Sequence, residues 1–287
     1  MIDLALSVLC SSLIFVIFKL FANYGVNTLL AIVTNYIVAC ICGLVFTPQS
    51  ISLLQLGTQS WFLGAILLGV LFILVFNVMA RSSQINGVGV TSVATKMSLV
   101  IPVLFAVLYY GDLLSLFQIT GILLALAAVY LASIPKNGLT MQKAHLWLPL
   151  MVFLGSGIID TDIKFFQESF LEDHEYPIFS STVFGSAAFS GVLFLGAKNI
   201  KKVHPLEFKS IMGGIFLGIP NYFSIFFLLR ALNNDSLNSA SVFTINNVAI
   251  VLFSTLLGIL LFKEHLNPKN WFGVGLAIIS IVLVALF

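Results

Sequence analysis

The side chain best placed to do chemistry in this chain is Lys96, because it stands inside a long apolar run. Ser92, Thr95 and Lys96 follow the spacing i, i+3, i+4, which puts a polar stripe on one face of a helix. If this run crosses a membrane, a charge near its centre costs at least about 2.5–3.5 kcal/mol. An ammonium kept there could bind an anionic group or respond to a proton. A structural ion pair within a helix bundle is the alternative.

A second charged group lies near the end of another apolar run and consists of Asp160, Asp162 and Lys164. Asp160 and Lys164 are four residues apart with the acid first, the favourable order for an ion pair within a helix. Asp162 points roughly 200° away from Asp160 around the same helix. One acid could therefore pair with Lys164 while the other faces a cavity, where it meets Lys96 or carries a proton. The alternative is that the helix ends early and all three side chains face water.

Uncharged polar side chains also lie deep in apolar runs, and one of them follows Pro220, which frees a backbone carbonyl and kinks a helix. Such groups can bind a ligand or hold neighbouring helices together by hydrogen bonds, and the sequence leaves both roles open. The candidates are Asn77, Asn221, Tyr222, Asn246 and Asn247.

The motifs of several other functions are absent from the sequence. It has no H-E-x-x-H, no G-x-S-x-G and no G-x-x-x-x-G-K-[ST], and its three cysteines lie in apolar runs. The sequence also lacks a basic tract with interleaved aromatic residues, which is the pattern that would indicate nucleic-acid binding. The sequence therefore predicts no catalytic residue, no metal, no cofactor and no nucleic-acid partner, which disfavours a membrane-embedded enzyme.

The elements that position these residues are membrane helices. Of 287 residues 60% are hydrophobic and 8% are charged, against about 25% charged in soluble domains. A membrane span needs about 20 apolar residues. This composition predicts an all-α membrane protein with ten spans: 3–22, 29–47, 61–80, 87–109, 115–134, 146–166, 178–197, 210–230, 239–262 and 270–287.

The distribution of Lys and Arg predicts the orientation of these spans. The connections after odd-numbered spans carry ten of these residues, and those after even-numbered spans carry only Lys164 and Arg230. Because Lys and Arg favour the cytoplasmic side, both chain ends are predicted to lie outside the cytoplasm. Lys19 and Lys164 are then interpreted as anchors at opposite membrane faces.

The two halves of the chain resemble each other. Gly64, Gly69 and Arg81 align with Gly213, Gly218 and Arg230, and Gly121 and Ala125 align with Gly273 and Ala277. Each half holds five spans, so the second must be inverted relative to the first. We predict a first five-helix repeat over 1–134, a cytoplasmic linker over 135–145 and an inverted repeat over 146–287. Inverted repeats are typical of secondary transporters.

The same motifs resemble those of a known family. The run from Arg81 to Lys96, followed by Ile101-Pro102 and Gly111-Asp112, is similar to one half of an EamA-type permease of the drug/metabolite transporter superfamily. The run from Arg230 to Leu266 is similar to the other half. Asp112 departs from the Glu usual in that pattern, which Glu264 retains. The resemblance implies a ten-span fold with a central cavity and the carriage of small organic solutes, often outward.

The sequence therefore predicts a secondary-active transporter in the plasma (inner) membrane of a bacterium. Its expected substrate is a small polar or amphipathic metabolite moved outward, with an amino acid as one candidate. Proton coupling and facilitated exchange both remain open. The expected partners are this substrate and membrane lipid, and the chain is expected to be a monomer or a homodimer. A lipid-carrier flippase on the same fold is the alternative function, and it would need a side opening between helices.

Overall fold

The structure is a computed structural model that describes residues 2–46, 53–110, 115–134, 143–172, 175–199, 207–232 and 239–286. The described residues form eleven α-helices and one short 3₁₀ helix, Leu53–Thr58. The α-helices are α1 (Ile2–Asn23), α2 (Thr28–Phe46), α3 (Phe62–Asn86), α4 (Val88–Met97), α5 (Val100–Tyr110), α6 (Leu116–Ala132), α7 (Lys143–Ser169), α8 (Tyr176–Asn199), α9 (Phe208–Leu232), α10 (Ser239–Phe262) and α11 (Pro268–Leu286).

The predicted all-helical membrane architecture is confirmed, although not every predicted span is. Within the described part of the chain, eight stretches are helical, long and apolar enough to cross a membrane. The helices α6 and α11, predicted as the fifth and tenth spans, are apolar but shorter. Helices suit this environment because they satisfy every backbone polar group internally where water is absent.

Two predicted spans differ from the structure in their extent. The third was expected to end at residue 80, but α3 continues to Asn86, and Gly87 alone separates it from α4. The fourth was expected to be one helix over 87–109, but it is divided into α4 and α5. The predicted division of the chain at 135–145 falls largely outside the described residues and stays a prediction.

The helices of the two halves pack mainly against each other. Helix α1 contacts α9 and α10, α3 contacts α7 and α8, α2 contacts α8 and α9, and α6 contacts α11. Glycines allow the closest approaches, because a Cβ on Gly69 would come within 2.6 Å of Ser186 and one on Gly218 within 2.8 Å of Asn35. The hydroxyl of Ser280 also donates to the Gly121 carbonyl at 2.7 Å. The two sets of helices therefore form one interlocked bundle.

Candidate functional site

The fourth span is interrupted directly beside Lys96. Pro102 has no N–H, so it cannot donate to the carbonyl of Ser98 four residues earlier as a regular helix requires. Ile101 donates to that carbonyl instead, at 2.9 Å, in a tighter turn. Lys96 lies in the last turn of α4, where a cation complements the negative end of the helix dipole. Interrupted membrane helices are a common way of forming a binding site near the midplane.

The interruption brings Ser98 to Asp160 of α7. The Ser98 hydroxyl lies 3.2 Å from Asp160 Oδ2 and 2.5 Å from the carbonyl oxygen of Thr95. A hydroxyl has one proton, so Ser98 can donate fully to only one of these acceptors at a time. Its hydrogen bond to Asp160 can therefore be made or released without moving either helix.

Lys96 and Asp160 are close enough for their opposite charges to attract each other. Within the described residues, however, Lys96 has no hydrogen bond and no carboxylate within 4 Å. Lys96 is half-buried and Asp160 is exposed. The two charges thus attract each other without forming a direct ion pair.

The helix geometry shows which way the two acids of α7 point. Met151, Leu154 and Ile158 form an exposed apolar stripe on α7. At about 100° per residue, Asp160 lies on the opposite side of the helix from this stripe, whereas Asp162 lies close to it. The contact with Ser98 agrees with this direction for Asp160. Asp160 is therefore the acid that faces the bundle, and Lys164 projects from the same side of α7 and is exposed.

The predicted polar stripe on α4 is only partly available to a ligand. The hydroxyl of Ser92 donates to the Gly89 carbonyl and that of Thr95 to the Thr91 carbonyl, both at 2.9 Å. Ser92 is buried, while Thr95 is half-buried beside Lys96. Thr95 can still offer its oxygen as an acceptor, so the site near Lys96 consists of Thr95, Lys96, Ser98 and Asp160.

The other predicted polar residues mostly connect helices. Asn221 donates to Asn35 Oδ1 at 3.1 Å, joining α9 to α2, and Asn246 accepts from the Ser7 hydroxyl at 3.2 Å, joining α10 to α1. Both asparagines are buried. Hydrogen bonds of this kind hold membrane helices together. For these two residues the geometry favours the clamping role over ligand binding.

The remaining predicted residues lie in three different surroundings. Asn77 donates to the Ile73 carbonyl of its own helix at 2.7 Å. Tyr222 is buried and stacks on Phe46 with ring centroids 5.7 Å apart. Asn247 is half-buried and makes no hydrogen bond within the described residues. Of the uncharged candidates, Asn247 alone keeps an uncommitted amide.

A second ionic cluster, which the sequence analysis did not identify, lies at the opposite end of α4. The carboxylate of Glu264, from the connection between α10 and α11, accepts from the backbone N–H of Val88 at 3.0 and 3.1 Å. Lys19 Nζ lies 3.7 Å from Glu264 Oε1 and donates to the Gln84 carbonyl at 2.9 Å. We call Lys19, Gln84, Val88 and Glu264 the face cluster. It joins the ends of α1, α3, α4 and α10.

The face cluster depends on a glycine that opens space for the carboxylate. Gly87 has a φ of 102°, and a Cβ there would lie 2.7 Å from the oxygens of Glu264. A cavity of about 340 Å³ borders Lys19, Asn86 and Glu264. Neither amide atom of Asn86 has a partner within the described residues, so water in this cavity could complete its hydrogen bonds. Lys19, which the sequence indicates as an anchor at a membrane face, is tied into the cluster by these contacts.

The sequence holds one further signal for the site near Lys96. Pro102 stands four residues after Ser98, and this spacing marks the carbonyl that loses its helical donor. Ser98 and Asp160, which form a hydrogen bond, are 62 residues apart in the sequence. That of Val88 with Glu264 spans 176. No local pattern encodes either contact.

Comparisons with known proteins agree with this architecture. The model of the EamA-like transporter family matches residues 165–286. An uncharacterised protein of Haemophilus influenzae is 29% identical over 284 residues, which are 95% of this chain and 93% of that protein. A solved crystal structure of a protein with 15% sequence identity covers 98% of both chains with a TM-score of 0.56, which indicates a similar fold.

The eight apolar helices are long enough to cross a membrane, and the match to the EamA-like transporter family covers 122 of the 287 residues. The matched residues contain most of the second half, including α10 and Glu264. The second half of the chain is therefore similar to the EamA-like transporter family, in agreement with the resemblance noted in the sequence from Arg230 to Leu266.

Proposed function

We propose that this protein is a secondary-active permease that exports a small polar or amphipathic metabolite across the plasma (inner) membrane of a bacterium. The observation that carries the proposal is the interrupted helix at Lys96, where an ammonium without a close partner in the described residues is attracted by the charge of Asp160. A carboxylate or phosphate of a substrate would supply the partner that Lys96 lacks. An amino acid would also meet Asp160 with its ammonium group.

The proposal includes two inverted five-helix repeats, 1–134 and 146–287. The support comes from the contacts between helices. If α1, α2 and α3 are replaced by their counterparts in the second half, α7, α8 and α9, and the reverse, the same contacts result. The contact of α2 with α9 becomes that of α8 with α3, and α1 with α9 becomes α7 with α3. Gly64 packs on Phe166, and its counterpart Gly213 packs near Phe21. In the sequence, Phe21 is the counterpart of Phe166.

In the proposed cycle Lys96 exchanges one partner for another. Without substrate, Asp160 balances the ammonium charge at a distance. When a substrate anion binds Lys96, Asp160 is released to accept a proton, and the Ser98 hydroxyl is already within hydrogen-bond distance of it at 3.2 Å. This exchange avoids an unpaired charge in a medium of low dielectric constant, which would cost several kcal/mol. The arrangement is compatible with proton coupling and with facilitated exchange.

We further propose that the face cluster closes the membrane face at the start of α4. This segment is about 15 Å long at 1.5 Å per residue, with Glu264 at one end and Lys96 near the other. Opening of this face would separate Glu264 from the Val88 N–H and from Lys19. Because Lys96 lies on the same short helix, a tilt of α4 would move both ends together. The positive-inside pattern predicts that this face is cytoplasmic.

The lipid-carrier flippase has less support. A lateral groove of about 940 Å³ lies between α1 and α9, and neither Lys96 nor Asp160 lines it. A flippase needs its polar site to be continuous with a side opening, so that a headgroup can enter while its tails stay in lipid. The geometry therefore favours a soluble substrate.

The test is export from reconstituted vesicles. Vesicles containing the protein are loaded with a defined mixture of amino acids, organic acids and sugar phosphates, and the loss of each compound is measured by mass spectrometry. We expect selective loss of one chemical class, and we expect Lys96→Met to lower it at least about tenfold, equivalent to roughly 1.4 kcal/mol. Lys269→Met, which removes an exposed lysine at the start of α11, is the matched control. Equal export by the Lys96→Met protein, or no loss of any compound, would contradict the proposal.

A further inference from the structure

A small apolar cavity lies among α3, α7, α8 and α9, and we call it the apolar pocket. Its volume is about 80 Å³, and its walls are mostly apolar. One face of α8 supplies about half of the lining, and the other three helices close the space around it. The lining includes Phe72 of α3, Ile163 of α7, Phe179, Ser180 and Phe184 of α8, and Ile225 of α9.

The apolar pocket lies inside the bundle and does not face the lipid. Ile225 is 39% exposed, but it stands nine residues after Phe216, which lines the lateral groove. At about 100° per residue the two side chains point to opposite sides of α9. Ile225 also shares the pocket with Phe72 and Phe184, which are buried. The exposed surface of Ile225 therefore borders space within the bundle.

The apolar pocket is adjacent to the site near Lys96. Ile163 follows Asp160 by three residues, which is about 4.5 Å along the axis of α7 and about 60° around it. Asp160 faces the bundle, where it contacts Ser98. The separation between the carboxylate and the apolar wall is thus on the scale of one small molecule. A substrate held by charges at Lys96 and Asp160 would reach the pocket with its uncharged part.

The volume of the apolar pocket limits the group that it can hold. A cavity of about 150 Å³ lined by apolar side chains binds benzene, which corresponds to about 25 Å³ per carbon atom. By this measure about 80 Å³ holds roughly three carbon atoms. The side chain of valine has this size, and that of leucine is one carbon larger. Alanine would leave the pocket largely empty, and the ring of phenylalanine would not fit.

We propose that the apolar pocket selects a branched-chain aliphatic amino acid as the substrate. Its side chain fills the pocket, its carboxylate binds Lys96 and its ammonium group binds Asp160. This inference rests on the proposed transport function and names the substrate class for it. Burial of the side chain contributes to affinity through the hydrophobic effect, while the two charged groups fix the orientation of the molecule.

The first test is export from vesicles that contain the protein and equal amounts of alanine, valine, leucine and phenylalanine. We expect valine and leucine to leave at least about tenfold faster than alanine, because each missing methylene weakens binding in an apolar pocket. Ile225→Ala enlarges the pocket and should raise phenylalanine export relative to valine about tenfold. Ile219→Ala is the matched control, because Ile219 is 44% exposed on the same helix but lines the lateral groove. Its ratio of phenylalanine to valine export should not change.

A second variant narrows the apolar pocket, and its test does not depend on transport. Ser181 and Thr182 donate to carbonyls of their own helix at 2.8 Å, whereas the half-buried Ser180 makes no hydrogen bond within the described residues. Ser180→Leu should therefore fill the pocket without breaking an interaction. Valine should raise the midpoint of thermal unfolding of the unmodified protein in detergent, as a ligand of the folded state does. It should not raise that of Ser180→Leu, whose folding is checked by circular dichroism.

The outcomes separate this inference from the proposed function. Export that does not depend on the size of the side chain would overturn the role of the apolar pocket and leave transport intact. An unchanged ratio of phenylalanine to valine in Ile225→Ala would do the same. Stabilisation by valine without export of any compound would overturn the proposed function alone. Neither stabilisation nor export would overturn both.

Discussion

A lysine and a carboxylate lie at each end of α4, but they are in direct contact at one end only. Each combines a lysine of the first half with a carboxylate of the second: Lys19 with Glu264 at one end and Lys96 with Asp160 near the other. Glu264 accepts from Val88 and contacts Lys19, which also donates to Gln84. Lys96 has no such contact within the described residues.

This difference favours a structural role for the face cluster and a ligand-binding role for the site near Lys96. Removing charged groups from water is costly unless hydrogen bonds and an opposite charge replace the lost solvation. The face cluster supplies these partners from the protein itself, so it can hold helix ends together. At Lys96 the partners must instead come from water, a proton or a substrate. The two sites have nearly the same residue types. They differ in whether their charged groups find partners within the protein.

The largest expected effect concerns the charge of Asp160 in the site near Lys96. Asp160→Asn removes the charge that faces Lys96, and we expect transport to fall at least about tenfold, or roughly 1.4 kcal/mol. Asp162→Asn is the matched control, because Asp162 lies near the exposed apolar stripe of the same helix. Its transport should stay within about twofold of the unmodified protein, since surface changes are usually small. Similar losses in both variants, measured by vesicle export at equal protein, would remove Asp160 from the site.

The next effect tests the structural role of the face cluster. Glu264→Ala removes the acceptor for the Val88 N–H and the partner of Lys19, and we expect a loss of about 1–2 kcal/mol in stability. A lower midpoint of thermal unfolding in detergent is the measurement, with Lys269→Ala as the control. Export should change as well, because Glu264 belongs to the cluster that we propose to close this membrane face. Unchanged stability of Glu264→Ala would contradict the structural role given to the face cluster.

The smallest expected effect concerns the hydrogen bond between Ser98 and Asp160. Ser98→Ala removes one hydrogen bond of 3.2 Å to Asp160 and keeps both charges. A single hydrogen bond contributes about 0.5–1.5 kcal/mol, so export should fall by roughly two- to tenfold, less than for Asp160→Asn. The comparison is made in the same vesicles. A larger loss for Ser98→Ala than for Asp160→Asn would mean that the hydroxyl, not the carboxylate, dominates the site.

Helix content and the position of Lys96 were predictable because both depend on local features. A run of apolar residues in a membrane must be helical, and a single lysine within it is visible by inspection. The interruption at Ser98 was also encoded locally, by Pro102 four residues later, although the sequence analysis treated the span as continuous. The partners of these residues were not predictable, since they come from helices far away in sequence.

Asp160 and Asn246 illustrate the limit in physical terms. The spacing of Asp160 and Lys164 favours a pair within one helix, but the packing of α7 against α4 turns Asp160 toward Ser98. Asn246 looked as available as Asn247, yet its oxygen accepts from Ser7 of α1. In both cases a contact between the two halves decides the role, and only the folded bundle contains that contact.

The central claim, that the region of Lys96 is an aqueous transport site, is tested most directly by thiol accessibility. In a protein whose three cysteines are replaced by alanine, Lys96→Cys is exposed to a charged, membrane-impermeant thiol reagent in vesicles. Ala94→Cys, at a fully buried neighbouring position, and Leu67→Cys, on the exposed apolar stripe of α3, are the controls. We predict rapid labelling at position 96 and little at 94 or 67. Labelling at position 96 as slow as at 94 would contradict the claim, because Lys96 would then lie in a dry, closed bundle.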